Sequence, residues 1–237
     1  MRDELGPNFK FKRSQSTTIR HTMSNRATMK PVPRTFPRPV VIGFHGVAGS
    51  GKKTACDILA VKYADQLNPQ TLAFNNRLED ATRTMFGLPP SVLSVHQKDK
   101  PLGGAFAEGT SFRDLVISLG DMAKLLGGDD VFTRALWEDV EYYAKLVNTR
   151  LILISDARDA EHCQAIKDHG GLVVHLRYMG QRRNELTKNS RGRDEQYDIA
   201  PPGSVTVINR GENLTDFAAD LSRVVDTFVK ETNKALV

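Results

Sequence analysis

Hydrophobic positions along the chain fall into two kinds of pattern. Short runs that are apolar without interruption occur at residues 40–44, 71–74, 151–155, 172–176 and 205–208. Uninterrupted apolar strands predict a sheet covered on both faces, and their alternation with helices predicts that the strands run parallel. Between them, apolar residues recur with a helical period at 52–66, 76–86, 111–126, 131–147 and 160–169. The clearest such pattern closes the chain. Leu214, Phe217, Ala218, Leu221, Val224, Val225, Phe228 and Val229 recur at three- and four-residue spacing, behind Asn213 as a helix cap and with Asp216 three residues beyond it. Residues 89–109 contain Gly103 and Gly104 but few large apolar side chains, and read as a long loop of the kind that often carries function. The expectation is an α/β fold in three layers, α/β/α, around a five-stranded parallel sheet, with a lid-like helical region.

Composition narrows the class. A chain of 237 residues with 40% hydrophobic and 26% charged residues suits one soluble globular domain, and no apolar stretch approaches the roughly 20 residues that span a bilayer. The net charge of +5 is unevenly placed. Residues 1–39 hold nine Lys or Arg against Asp3 and Glu4, leaving 24 of the 33 basic and 26 of the 28 acidic residues to the rest, which is slightly acidic. This first segment is rich in Ser, Thr, Arg and Pro and lacks any apolar period, so it reads as a basic, disordered tail and linker preceding a domain over 40–237. A segment of this composition suits a disordered appendage or a translation start at Met23 or Met29, an organellar transit peptide, or an electrostatic hold on nucleic acid. Cys56 and Cys163 lie far apart inside helical patterns, with no metal-site spacing, and read as buried thiols.

The strongest chemical signal follows the first apolar run. Gly46, Gly51 and Lys52 complete a G-x-x-x-x-G-K loop through Ala48, Gly49 and Ser50, placed between a predicted strand and a predicted helix. Glycines let backbone amides wrap phosphates, the helix start adds partial positive charge, and Lys52 is placed to neutralise the β- and γ-phosphates of ATP. The next residue is Lys53, where such loops usually carry a magnesium-binding hydroxyl, and the hydroxyl comes one place later as Thr54. A second constellation ends the third strand in Asp156 and Arg158. Asp156 is a candidate for a magnesium shell or for the acceptor, or else a cap on the next helix. The run from Gln181 through Arg182, Arg183, Lys188, Arg191 and Arg193 to Glu195 is either a solvated face or a lid that closes over the nucleotide.

The order of these motifs resembles that of the phage-type deoxynucleoside monophosphate kinases. The resemblance spans roughly residues 40–230 and rests on the loop, Phe74 to Leu78, Arg113 within Ser111 to Leu115, Asp130-Val-Phe-Thr-Arg134-Ala-Leu136, Ile154-Ser-Asp156-Ala-Arg158 and Ile208-Asn209-Arg-Gly211. It implies ATP and Mg²⁺ as cofactors, with Lys52, Arg134, Arg158 and Asp156 in the chemistry. Nucleotide would bind at Gly46, Ala48, Gly49, Ser50, Gly51, Lys52, Lys53, Thr54, Arg182 and Asn209. The acceptor monophosphate would meet Arg77, Arg113, Arg134, Asp156, Arg158 and Glu195, and the metal would meet Thr54 and Asp156. It further suggests a homodimer and a cytoplasmic setting, the host cytoplasm if the source is viral. Where the family has F-A-D-P-L-K, this chain has Phe74-Asn75-Asn76-Arg77-Leu78-Glu79, and Asp121-Met122 stands where the family has T-E. Both departures fall on the acceptor side. An adenylate-kinase-like or dephospho-coenzyme-A-kinase-like enzyme, or a nucleic-acid-associated ATPase, remains open on the residues alone.

Overall fold

All five apolar runs become strands of one parallel sheet. The computed structural model describes residues 38–94, 97–179, 195–211 and 213–235. The strands are β1 (Val40–His45), β2 (Gln70–Leu72), β3 (Leu151–Ile154), β4 (Leu172–Tyr178) and β5 (Val205–Asn209), in the order β2-β3-β1-β4-β5. Every pairing is parallel, with β1 at the centre between β3 and β4. Between them run α1 (Lys52–Lys62), α2 (Ala64–Leu67), α3 (Asn76–Met85), α4 (Phe112–Gly127), α5 (Val131–Leu146), α6 (Ala160–Asp168) and the closing α7 (Leu214–Ala235). The helix expected over 52–66 breaks at Tyr63, whose amide closes on Leu59 and which then starts α2.

Alternation along β1 assigns the layers. Val40, Ile42 and Phe44 point to α1 and α7, where they meet Ala55, Cys56, Leu59, Phe217, Leu221, Val225 and Val229. Val41 faces the opposite side with Ile152, Ile154 and Val173, against Leu136 and Val140 of α5 and Cys163 and Ile166 of α6. Each fully buried aliphatic side chain of this set stabilises the fold by roughly 1.5–3 kcal/mol relative to exposure. Both cysteines are buried free thiols, as their helical context predicts.

Local signals set the helix starts. Ser111 and Asp114 form a reciprocal capping box at the start of α4, and Asn213 Oδ1 accepts the amide of Thr215 at 2.9 Å at the start of α7. The segment 89–109 carries a 3₁₀ turn at Pro90–Leu93 and an isolated bridge from Pro101 to Ser111. The chain leaves β1 for one side of the sheet and later crosses it to β4, so the strand order reverses beside the carboxyl end of β1, where open parallel sheets form their ligand crevice. No helix among the described residues is long and apolar enough to cross a membrane.

Candidate functional site

The glycine loop occupies that crevice. It leaves β1 at His45, turns through residues 46–51 and enters α1 at Lys52. Gly46 and Gly51 adopt φ of 140° and 101°, and neither has room for a side chain. A β-carbon on Gly46 would come within 2.5 Å of the Leu176 carbonyl oxygen, and one on Gly51 within 2.6 Å of Asn209 Nδ2. The loop is therefore pressed against the ends of β4 and β5. Lys52 Nζ donates to the carbonyls of Gly46 at 2.6 Å and Val47 at 2.7 Å, which places its charge across the loop. Ser50 is fully buried, and its Oγ has no hydrogen-bond partner among the described residues. A buried hydroxyl without a partner costs free energy unless a ligand oxygen completes it, so the loop fits an oxyanion such as a nucleotide phosphate.

Asn209 braces this loop from β5. Its Nδ2 donates to the Ser50 carbonyl at 3.0 Å, while its Oδ1 accepts the Gly211 amide at 2.9 Å. Sequence reasoning singled out Asn209 for the nucleotide; its contacts here are with the loop that would hold the phosphates.

Beneath the loop lies a pair that sequence reasoning missed. His45 ends β1 and stands directly across from His175 in β4, with the two Nδ1 atoms 2.9 Å apart and both residues buried. One ring donates and the other accepts, so a second proton has no place between them. Burial first, then the charges of His175 and Lys52, push His45 down to about 4, against the main chain of Arg158 and the Asp159 carboxylate. His175 is lowered too, chiefly by burial, with Asp198 opposing and Arg177 and Lys52 assisting. Only the register between strands 130 residues apart reveals this pair.

Asp156 stands just beyond β3 and does not cap α6. Its Oδ1 accepts the Phe74 amide at 2.8 Å, tying the end of β3 to the turn before α3. Burial raises its pKa, while the main chains of Phe74 and Asn75 and the charge of Arg158 oppose the rise. Phe74 is itself covered by His162, stacked on it with ring centroids 3.7 Å apart. His162 is pushed down to about 4, chiefly by burial.

The arginines separate into two groups. Arg77 forks onto Asp139, with Nη2 to Oδ1 at 2.7 Å, and reaches Glu138 at 2.7 Å, which joins α3 to α5. Arg113 pairs with Asp99 at 2.5 Å, and Arg134 pairs with Asp130 one turn earlier and donates to the Gly127 carbonyl at 2.8 Å. Arg158 differs. It is exposed, its charge faces Asp156, and its guanidinium makes no hydrogen bond to a described residue. Lys53 and Thr54 lie exposed in the first turn of α1, and Ala48 and Gly49 on the outer part of the loop. Glu195 begins a 3₁₀ turn at Glu195–Asp198; Arg182 and the rest of the basic run up to residue 194 lie outside the described residues.

No family model matches the chain, and no curated protein matches it. Solved structures do. The Mycobacterium tuberculosis APS kinase CysC in complex with AMPPNP and APS aligns at 15% identity and a TM-score of 0.40, over 82% of this chain and 99% of that one. Dephospho-CoA kinase from Campylobacter jejuni aligns at 9% identity and 0.42, over 81% and 98%. Thymidylate kinase from Ehrlichia chaffeensis aligns at 15% and 0.38, over 81% and 99%. Likeness of this size carries no argument about activity, which has to come from the loop and its surroundings.

Proposed function

We propose that the protein is a P-loop phosphotransferase that moves the γ-phosphate of ATP onto a deoxynucleoside monophosphate. The observation that carries this reading is the loop itself, with its glycine-only backbone, the unpartnered Ser50 hydroxyl in its wall and Lys52 across it. Loop amides and Lys52 would hold the β- and γ-phosphates at the start of α1, where the helix dipole favours anions.

The acceptor would lie beyond the ends of β1 and β3, with Arg158 as the guanidinium ready to meet its phosphate. An α-phosphate oxygen of the acceptor attacks the γ-phosphorus in line, and the bond from that phosphorus to the β–γ bridging oxygen breaks, releasing ADP. The attacking oxygen is already ionised near neutral pH, so no general base is required, and the rate comes from positioning and from charge stabilisation. Arg77, Arg113 and Arg134 would contribute by exchanging a carboxylate partner for a phosphate, the last two as the resemblance of their motifs suggests. Magnesium bound with ATP would supply positive charge that offsets that of the phosphates.

A coupled assay of ADP formation across the deoxy- and ribonucleoside monophosphates tests the reading. Stimulation by one or more deoxynucleoside monophosphates, lowered about 100-fold or more in Lys52→Ala, is the expected result. ADP formation driven only by dephospho-coenzyme A, or only by DNA, would contradict it.

A further inference from the structure

The first turn of α1 departs from the usual pattern of a magnesium-binding phosphate loop. Lys53 is the second residue of the helix, the place where the hydroxyl that binds magnesium normally follows the loop lysine. An ammonium carries no lone pair and cannot ligate a cation. Thr54 comes one residue later, about 100° further round the helix axis, and is exposed. The other candidate ligand, Asp156, already accepts the Phe74 amide with Oδ1. These residues do not fit direct coordination of Mg²⁺.

They do fit direct recognition of an anion. No acidic residue lies in the first turn of α1, and no side chain caps the helix. Lys53 has no hydrogen bond or ion pair to a described residue and is exposed, so its ammonium is available at the same helix end that the Ser50 hydroxyl borders. Two ammoniums in succession, added to the helix dipole, offset phosphate charge that a divalent ion would otherwise offset.

We infer that Lys53 stands in for the metal in the binding step, so that this loop takes up a nucleoside diphosphate or triphosphate without a divalent cation. The inference rests on the phosphate loop binding a nucleotide, as proposed above.

Titration calorimetry of ADP into the full-length protein, in excess EDTA and in millimolar Mg²⁺, separates the two. Wild type is expected to bind with affinities within about threefold of each other in the two conditions. Lys53→Thr, which restores the usual hydroxyl at an exposed position, is expected to lose about tenfold or more in EDTA and to regain affinity when Mg²⁺ is added. Tighter binding of wild type by tenfold or more in Mg²⁺, or equal binding of Lys53→Thr in EDTA, overturns the role of Lys53 while leaving the nucleotide site intact. Absence of ADP binding in both conditions, or binding indifferent to Lys52→Ala, overturns the nucleotide site and this inference with it.

Discussion

Asn209 sits at the end of β5 yet acts on the glycine loop, because its two amide atoms hold the Ser50 carbonyl and the Gly211 amide at once. Asn209→Ala leaves both groups to water and frees the turn before α1. The expected outcome is a five- to tenfold rise in KM for ATP with a stability loss of only about 1 kcal/mol, the size of one net hydrogen bond. Steady-state kinetics and a thermal melt check it together; an unchanged KM would make the brace irrelevant to nucleotide. The His45–His175 pair makes a different prediction, in pH. His45 is held near 4 in the fold, below the ordinary imidazole value of 6.5, and His175 is lowered as well. Between those values the unfolded chain takes up protons that the folded chain refuses. Stability from these groups is therefore complete above about pH 6.5 and lost as pH falls toward 4, by up to about 1.4 kcal/mol per pH unit for one group. His45→Asn keeps a polar atom near Nδ1 while removing one titrating ring. Its urea midpoint should fall less steeply than wild type's from pH 6.5 to 4.5, and parallel slopes would contradict the assignment.

At the scale of elements, Asp156 links two parts of the sheet edge that no strand pairing joins, the end of β3 and the Phe74 turn before α3. Asp156→Ala strands the buried Phe74 amide and should cost about 1–3 kcal/mol, whereas Asp156→Asn keeps an acceptor there and should cost less than about 1 kcal/mol. Thermal melts separate the two. If both variants lose activity while only the alanine loses stability, the carboxylate has a role beyond the tie. The elements themselves were legible in the chain because uninterrupted apolar runs, buried on both faces in β1 and β3, differ so plainly from periodic helices, and because Ser111 and Asn213 announce their helix starts. What Asp156 does was not legible, since its partner is a main-chain amide 82 positions away with no side-chain signature. The arginines tell the same story. Arg77, Arg113, Arg134 and Arg158 look alike in sequence, and only the fold shows that the first three form ion pairs with carboxylates while, among the described residues, the last forms none.

For the molecule as a whole, β1 decides the arrangement. Its alternate residues build two separate cores, and its last residue delivers the chain into the loop at the point where the strand order reverses. The fold class and the loop's place in it could be read from the chain because the G-x-x-x-x-G-K spacing came directly after an uninterrupted apolar run. The pairing of the arginines proposed for the acceptor could not, because it depends on how helices pack, as where Arg77 of α3 meets Glu138 and Asp139 of α5. The most direct measurement is a crystal structure of the protein grown with a non-hydrolysable ATP analogue. The expected result has the triphosphate inside residues 46–52, with Lys52 Nζ turned from the Gly46 and Val47 carbonyls to phosphate oxygens and the Ser50 hydroxyl bonded to one of them. A loop unchanged, with Lys52 still on those two carbonyls and the analogue bound elsewhere or absent, would contradict it.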